Sequence, residues 1–228
     1  MTKAYTSPEN GGNTYHSRDK RKKRIPSVSR LRRGDKFLIV LILLAIAGKL
    51  FLGLDIIGNA GPDYLKKVTV PDWIDIQLID TDGASRRGTD LKNFNDIVVH
   101  YVANPGSTAQ QNRDYFNSPD SSVSAHFVIG LEGEIIQCIP LWEISSASNQ
   151  RNPDTISIEV CHPDSTGQFT DASRQSLIRL CSWLCSIGNL DSDNIIRHYD
   201  VTGKLCPLYY VKHEDQWELL KEDVRKTL

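Results

Sequence analysis

The chain has 228 residues, of which 39% are hydrophobic and 24% are charged, and its formal net charge at pH 7 is -1. This length excludes two large domains, and the hydrophobic content excludes a wholly disordered chain. The charge is uneven, because residues 1–36 hold eleven Lys and Arg against three Asp and Glu, whereas the remaining 192 residues hold 16 basic and 25 acidic side chains.

Residues 1–36 are polar, rich in Ser, Gly and Asn, and contain the basic run RDKRKKR at residues 18–24. Such a composition buries too little apolar surface to offset the entropy of ordering, so we predict a disordered arm. A basic run can also bind nucleic acid. Because an apolar segment follows, a topology signal that keeps the arm in the cytoplasm is the simpler interpretation, and we predict no nucleic-acid partner.

Residues 37–57 are predicted to form a transmembrane helix that anchors the chain. They are apolar apart from Lys49 and Asp55. Roughly 20 helical residues cross the hydrocarbon core, and a lysine near the outer end can extend its charge to the interface. The basic arm then predicts a cytoplasmic N-terminus and an extracellular C-terminal part. The sequence AIA at residues 45–47 has the form of a signal-peptide cleavage site, so a cleaved and secreted product is the alternative.

Residues 58–72 contain two Gly and two Pro without a clear period, and are predicted to form a stalk. From residue 73 to residue 228, strand and helix patterns alternate, which predicts one α/β domain with a central sheet flanked by helices. Strands are predicted at 96–102, 155–161 and 194–199, a hairpin at 125–139, and helices at 170–188 and 213–228. The first helix is predicted to begin at Thr170 or Asp171 and to stop at Gly188.

The five cysteines have irregular spacings, and their odd number does not indicate a disulfide framework. Cys181 and Cys185 lie four residues apart in a helical pattern and are predicted to face the core. A bridge between Cys138 and Cys161 is left open.

Three residues near the predicted strand ends are candidate metal ligands. His100 and His198 each end a predicted strand, and Cys206 follows His198 by eight residues. Imidazole and thiolate are ligands for zinc, and three protein ligands with an open position are typical of a catalytic zinc site. Taken singly, each residue has an ordinary structural interpretation as a hydrogen-bonded histidine or a packed cysteine. The order of motifs around them favours the metal.

Four motifs occur in order, namely VVHYVANPG, SAHFVIGLEGEIIQCIP, RNPDTISIEVCHP and RHYDVTGKLCP. On these motifs, residues 72–228 resemble the type-2 N-acetylmuramoyl-L-alanine amidases, a family that includes phage lysozyme-like amidases and animal peptidoglycan recognition proteins. The resemblance implies a mixed sheet with flanking helices and a zinc ion in an open groove. It also implies hydrolysis of the amide between N-acetylmuramic acid and L-alanine, so that peptidoglycan, with its glycan strand and stem peptide, is the predicted partner.

The resemblance assigns roles to five residues. It makes His100, His198 and Cys206 the zinc ligands. Lys204 matches a lysine that stabilises the oxyanion of the tetrahedral intermediate. Glu159 matches a glutamate that acts as general base in several bacterial members. The strand pattern supports Glu159 independently, since alternation points it away from the apolar face of residues 156–160.

Two further histidines are predicted to contact the substrate. His126 either lines the groove or hydrogen-bonds a neighbour, and His162 is either structural or in contact with substrate. The chain departs from the phage lysozyme-like branch at Ala125, where that branch has a catalytic tyrosine. Glu159 therefore carries the proton transfer if the protein is an active enzyme.

Three other functions are compatible with parts of this pattern. A non-catalytic peptidoglycan-binding module shares the fold, but loss of a zinc ligand would mark that class. A zinc hydrolase of another amide would not share the four ordered motifs. A cytoplasmic recycling amidase is disfavoured by the predicted export. The sequence therefore predicts an anchored amidase of cell-wall turnover or remodelling.

Overall fold

A computed structural model of the protein describes residues 62–81 and 83–228. The predicted arm at 1–36 and the predicted anchor at 37–57 lie outside these residues. Within the two described ranges, no helix is both long and apolar enough to cross a membrane. The predicted stalk is partly described, and its residues Asp63–Lys67 form a short 3-10 helix with Leu65 fully buried in the core. Val68 and Val70 also pack against this core, so the described end of the stalk is held to the domain by apolar side chains.

A six-stranded mixed sheet lies at the centre of the domain. Its strands are β1 (Asp75–Ile76), β2 (Asp96–Tyr101), β3 (Phe127–Ile129), β4 (Ile135–Gln137), β5 (Thr155–Val160) and β6 (Ile195–Arg197). They lie in the order β1-β4-β3-β5-β2-β6. The β3–β4 hairpin is antiparallel, and every other neighbouring pair is parallel. The predicted hairpin, the strand at 155–161 and the mixed sheet are therefore confirmed.

Five α-helices accompany the sheet in the described residues. They are α1 (Ala109–Phe116), α2 (Asp171–Gly188), α3 (His198–Thr202), α4 (Leu208–Lys212) and α5 (Glu214–Arg225). The hydroxyl of Thr170 accepts the backbone N–H of Ser173 and caps α2, as predicted. Asn189, with a φ of 51°, makes the left-handed turn that was expected near Gly188. Gly188 serves a different purpose, because a Cβ atom there would lie 2.7 Å from the ring of Phe94.

The two faces of the sheet pack against different elements. Ile156, Ile158 and Val160 of β5 belong to the larger apolar cluster, which also contains the buried residues of α2 and α5. Cys161 belongs to a smaller cluster with residues of α1 such as Phe116. Alternation along a strand sends successive side chains to opposite faces, so Ser157 and Glu159 point to the α1 side. This is the side on which the polar site is built.

Helix α1 was not predicted from the sequence. The hydroxyl of Thr108 accepts the backbone N–H of Gln111, and the Gln111 side chain accepts the backbone N–H of Thr108, which makes a capping box. The Thr-x-x-Gln spacing that forms this box is visible in the sequence and marks the helix start. All five cysteines are free buried thiols, which removes the open alternative of a Cys138–Cys161 bridge.

The predicted strand at 194–199 is shorter than expected. Strand β6 ends at Arg197, and His198 begins α3. The cause is local, because the carboxylate of Asp200 accepts the backbone N–H of Arg197 at 2.8 Å and caps the new helix. In β2, by contrast, the strand continues through His100 to Tyr101. His100 thus projects from a strand and His198 from the first turn of a helix.

Candidate metal centre

His100, His198 and Cys206 converge on one point. Their ligand atoms all lie within 4.8 Å of one another, and all three residues are buried. The Sγ atom of Cys206 is 3.8 Å from Nδ1 of His100. The centroids of the two imidazole rings are 4.6 Å apart. The structure therefore brings together the three residues that the sequence indicated as metal ligands.

The backbone between His198 and Cys206 folds back on itself, so that the Cys206 side chain lies close to the His198 side chain. Helix α3 ends at Gly203, whose φ of 78° is in the left-handed region that favours glycine. The carbonyl of Cys206 then accepts the backbone N–H of Tyr199 at 2.9 Å. These contacts hold the sulfur beside the start of the helix, although eight residues separate the two ligands in sequence.

Both histidines use Nε2 for hydrogen bonds to the protein. Nε2 of His198 lies 2.7 Å from Oδ1 of Asn149, and Nε2 of His100 lies 3.3 Å from Oγ of Ser148. The buried Nδ1 atom of His198 has no hydrogen-bond partner among the described residues. Two Nδ1 atoms and one sulfur are therefore available to the same ion, and this donor set fits zinc.

The charge states of the histidines suit metal binding. Burial holds the pKa of His100 well below its usual 6.5, and the positive charges of His198 and Lys204 act in the same direction. Burial also lowers the pKa of His198, with a further contribution from Lys204. Both imidazoles are therefore uncharged at neutral pH, which is the form in which histidine binds a metal.

The thiol of Cys206 has the opposite shift. Burial raises its pKa to about 12, and the negative charge of Glu159 adds to the rise. The backbone N–H of Tyr101, which donates to the sulfur, and the charge of Lys204 act against it. Since a metal binds the thiolate, loading of this site would release a proton.

Glu159 lies directly beside the histidine of β2. The two residues are register partners in the parallel β2–β5 pair, and Oε1 of Glu159 lies 4.0 Å from Nδ1 of His100. Oε2 is buried and has no hydrogen-bond partner in the part of the chain that the structure describes. Burial raises the pKa of this carboxyl to about 8, although Lys204 lowers it and 18% of the side chain is exposed.

A cavity of about 460 Å³ opens over these groups. Glu159, His100, His198 and Lys204 line it on the side of the candidate metal ligands. A second part of the lining, the α1 wall, is formed by residues of α1 and the segment before it, including Asn104, Gln111, Asn112, Tyr115 and Phe116. Lys204 is exposed, so its ammonium group is in contact with solvent. The cavity thus combines a carboxyl group, a cation and the candidate metal ligands on one surface.

The two histidines predicted to contact substrate lie outside the cavity lining. His126 is fully buried, Nδ1 accepts the backbone N–H of Ser157 at 3.0 Å, and Nε2 donates to the carbonyl of Glu143 at 2.8 Å. Both ring nitrogens are therefore used inside the core, and this position differs from the predicted substrate contact. The cause is packing, because the ring lies between the β5 residue Ser157 and the carbonyl of Glu143, which occupy both nitrogens.

His162 is also buried, with only 1% of its surface exposed. Its Nδ1 donates to the carbonyl of Asp164 at 2.7 Å, and its ring lies 5.1 Å from that of Tyr101. These contacts agree with the structural alternative for His162 and differ from a contact with substrate. Ala125, which stands where the phage lysozyme-like branch has a tyrosine, is fully buried as well.

Two residues of the site, Ser148 and Asn149, were not predicted from the sequence. Both contact the candidate ligands and belong to the segment between β4 and β5. Asn149 is the first residue of a 3-10 turn, Asn149–Asp154, and has a φ of 53°. Ser and Asn are common in such turns, so the local sequence indicates the turn without indicating its contact with a histidine.

The chain is similar to known N-acetylmuramoyl-L-alanine amidases. The family model described as N-acetylmuramoyl-L-alanine amidase, Amidase_2, matches residues 90–208. The N-acetylmuramoyl-L-alanine amidase CwlL of Bacillus licheniformis is 30% identical over an alignment of 161 residues, and the match covers 63% of this chain and 44% of that protein. The N-acetylmuramoyl-L-alanine amidase BlyA of Bacillus subtilis is 31% identical over 165 residues, with the same two shares. The chain thus spans less than half the length of these curated relatives.

Solved structures show the same fold. A mutant endolysin from Bacillus subtilis has a TM-score of 0.59 and 27% identity, over 66% of this chain and 97% of that one. The catalytic domain of XlyA also has a TM-score of 0.59 and 27% identity, over 66% of this chain and 98% of that domain. The matched part of this chain therefore corresponds to nearly all of each structure.

Proposed function

The chain belongs to the family of N-acetylmuramoyl-L-alanine amidases, and on this premise we propose that it hydrolyses the amide between N-acetylmuramic acid and L-alanine of peptidoglycan. We propose zinc as its cofactor, bound by His100, His198 and Cys206. The observation that carries the proposal is the meeting of these three ligand atoms within 4.8 Å, beside a cavity lined by Glu159 and Lys204. When bound there, zinc supplies Lewis-acid chemistry, which polarises a carbonyl and makes water more acidic.

Glu159 is the proposed general base. It lines the cavity, and its Oε2 atom has no competing hydrogen bond among the described residues. In its ionised form, which the nearby positive charge of Lys204 favours, this carboxyl can accept a proton from the attacking water and pass it to the leaving nitrogen of L-alanine. Glu159 pairs with His100 in the β2–β5 register, so the sheet holds the backbones of the two residues side by side. The proposed base therefore lies next to a proposed metal ligand.

Lys204 is the proposed electrostatic stabiliser. Its side chain lines the same cavity, and its residue lies on the short segment between Gly203 and Cys206. A fixed cation near the attacked carbonyl favours the negative charge that develops on the oxygen. The ammonium group does not need to bind the ground state for this effect. The lysine therefore acts on the rate of hydrolysis more than on substrate affinity.

The size and lining of the cavity suit a small substrate segment that has both polar and apolar groups. Its volume of about 460 Å³ lies within the range of pockets that hold small molecules. The α1 wall offers amide groups at Gln111 and an exposed aromatic ring at Tyr115. Amide groups and aromatic rings suit a sugar with an attached peptide. We propose that this wall contacts the muramoyl-peptide junction.

We also propose that the domain acts outside the cell, in cell-wall turnover or remodelling. The support is the apolar segment at 37–57 and the basic arm before it, which together favour an anchor with the domain on the outer side. Protease added to intact cells that express the full chain should then digest the domain and spare the arm. Protection of the domain in intact cells, with digestion after lysis, would contradict the orientation.

The test of the amidase proposal uses the full chain and purified peptidoglycan. We expect one zinc per chain and release of stem peptides with a free N-terminal L-alanine, lost on chelation and restored by zinc. The variant Cys206→Ser should lose both zinc and release. The matched control is Cys185→Ser in α2, because the thiol of Cys185 contacts the carbonyl of Asp191 at 3.4 Å and a serine hydroxyl can keep that bond.

Three other outcomes contradict parts of the proposal. Zinc binding without release of stem peptides would reject the amidase reaction. Full zinc occupancy in Cys206→Ser would reject that residue as a ligand. Absence of both zinc and release, with binding to insoluble peptidoglycan, would favour the non-catalytic binding module on the same fold.

A further inference from the structure

We propose that Asn149 is a positioning residue that selects the tautomer of His198 and thereby sets the metal affinity of the site. This inference deepens the proposed function and rests on it. The amide oxygen of Asn149 lies 2.7 Å from Nε2 of His198. The contact joins the segment between β4 and β5 to a ligand 49 residues further along the chain.

The hydrogen-bond chemistry leaves one consistent arrangement. A carbonyl oxygen can only accept, so Nε2 of His198 carries the proton. A neutral imidazole has one N–H, and Nδ1 therefore keeps its lone pair for a metal. With the Asn149 amide reversed, its NH₂ group would donate to Nε2 and force the proton onto Nδ1. That N–H would be buried without an acceptor, because no described residue bonds Nδ1, and burying it unpaired is costly.

The turn that carries Asn149 is held by bonds of its own. The side-chain oxygen of Asn152 accepts the backbone N–H groups of Ala147 at 3.2 Å and of Ser148 at 2.5 Å. The guanidinium of Arg151 donates to Asp154 at 2.9 Å and also pairs with Asp96 at the start of β2. None of these contacts involves a candidate ligand. The backbone that carries Asn149 is therefore held without a contribution from a metal.

The backbone at Asn149 explains why this residue type is suitable. Its φ of 53° lies in the left-handed region, which asparagine tolerates better than most residues with a side chain. The side chain then leaves the turn in the direction of α3. An asparagine can adopt the left-handed backbone and also accept the hydrogen bond from His198, whereas a glycine can only adopt the backbone.

Ser148 has a different effect on the other histidine. Its hydroxyl lies 3.3 Å from Nε2 of His100 and can either donate or accept. A rotating hydroxyl adapts to both tautomers of the ring, so it holds the ring without selecting the proton position. Selection of a tautomer is therefore specific to the Asn149–His198 pair.

The experiment compares Asn149→Gly with Asn149→Asp in the full chain. Glycine keeps the left-handed backbone and removes the acceptor, while aspartate keeps an acceptor oxygen. The matched control is Asn189→Gly, since Asn189 is an exposed left-handed residue at the end of α2, with a φ of 51°. Zinc affinity is measured by competition with a chromophoric chelator. Imidazole ¹⁵N shifts of the zinc-free protein report the tautomer of His198.

We expect Asn149→Gly to weaken zinc binding about 10–100-fold, the usual effect of removing a hydrogen-bond partner from a metal-bound histidine. The zinc-free variant should show a mixture of both His198 tautomers. Asn149→Asp should keep the Nε2–H tautomer and bind zinc at least as tightly as the parent, and Asn189→Gly should match the parent in both measurements. If Asn149→Gly does not fold, the Asn149→Asp variant decides, because a tenfold loss of affinity there overturns the proposal.

The proposal would also be overturned if Asn149→Gly kept the zinc affinity of the parent and showed a pure Nε2–H tautomer. Failure of the proposed function has a different signature. A parent protein that binds no zinc refutes the metal assignment, while the tautomer in the zinc-free Asn149→Gly variant still decides the role of Asn149. A mixture of His198 tautomers in that variant supports the positioning role of Asn149, and a single Nε2–H tautomer refutes this role.

Discussion

Acid is expected to destabilise the domain through His126, which lies in the core. Burial lowers the pKa of this imidazole from 6.5 to about 4, against the opposing effect of its hydrogen bond to the carbonyl of Glu143. Below pH 6.5 the unfolded chain takes up a proton that the folded protein refuses until about pH 4. A depressed histidine pKa therefore contributes stability that is complete above pH 6.5 and is lost as the pH falls towards 4.

The size of the effect follows from the shift. Each pKa unit corresponds to about 1.4 kcal/mol, so the change from 6.5 to about 4 predicts a loss of about 3 kcal/mol from the free energy of unfolding. Such a loss is a large part of the stability of an ordinary domain. The lowered pKa values of His100 and His198 act in the same direction, whereas the raised carboxyl pKa of Glu159 makes stability increase as the pH falls. The contribution of His126 therefore has to be isolated by a variant.

The variant His126→Asn removes the titrating ring. Its amide oxygen can keep the bond from the Ser157 N–H, but the carbonyl of Glu143 loses its donor, which costs about 1–3 kcal/mol at pH 7. We therefore expect the variant to be less stable than the parent at pH 7 and to approach or exceed it at pH 4. Urea unfolding of the zinc-free parent and variant, monitored by tryptophan fluorescence, measures their free energies of unfolding at pH 7 and pH 4.

Fluorescence is a suitable probe because all four tryptophans, at positions 73, 142, 183 and 217, lie in the described domain. The slope of stability against urea concentration should agree between the two proteins, so that the midpoints compare directly. The reasoning is refuted if the difference in stability between parent and variant stays constant from pH 7 to pH 4. In that case the imidazole of His126 would be protonated in the folded protein as easily as in the unfolded chain.

Two further substitutions test the cavity. Replacing Glu159 by Gln should leave zinc bound and slow stem-peptide release about 10²–10⁴-fold, because the carboxyl loses its basicity while the side chain keeps its shape; a near-normal rate would exclude this residue as the base. Replacing Lys204 by Ala should slow release about 10²–10³-fold at unchanged zinc content, with little effect on KM. Lys92→Ala, an exposed lysine before the start of β2, is the control and should leave the rate unchanged.

Local pattern was sufficient for the longer elements. The alternation in β5 predicted its first residue, its end to within one residue and the direction of Glu159, because side chains along a strand repeat every two residues. Helix α2 followed from its cap at Thr170 and its apolar stripe. The two-residue strand β1 was missed because both of its side chains are exposed, so no burial pattern marks it. The end of β6 was misplaced because the carboxylate of Asp200, beyond the strand, caps a new helix.

The sequence by itself determined the family and the residue types from which a metal site can be built, because ordered motifs and periodicity are properties of the local chain. Only the tertiary structure decided which atoms face one another. The contacts of the site join residues 48, 49 and 106 positions apart: His100 with Ser148, His198 with Asn149, and Cys206 with His100. The same holds for His126, for which the sequence left both groove lining and a hydrogen bond to a neighbour open, and which bonds Ser157 and Glu143 inside the core. Hydrogen-bond partners of a ring depend on strand order and register, and these are set by packing of the whole sheet.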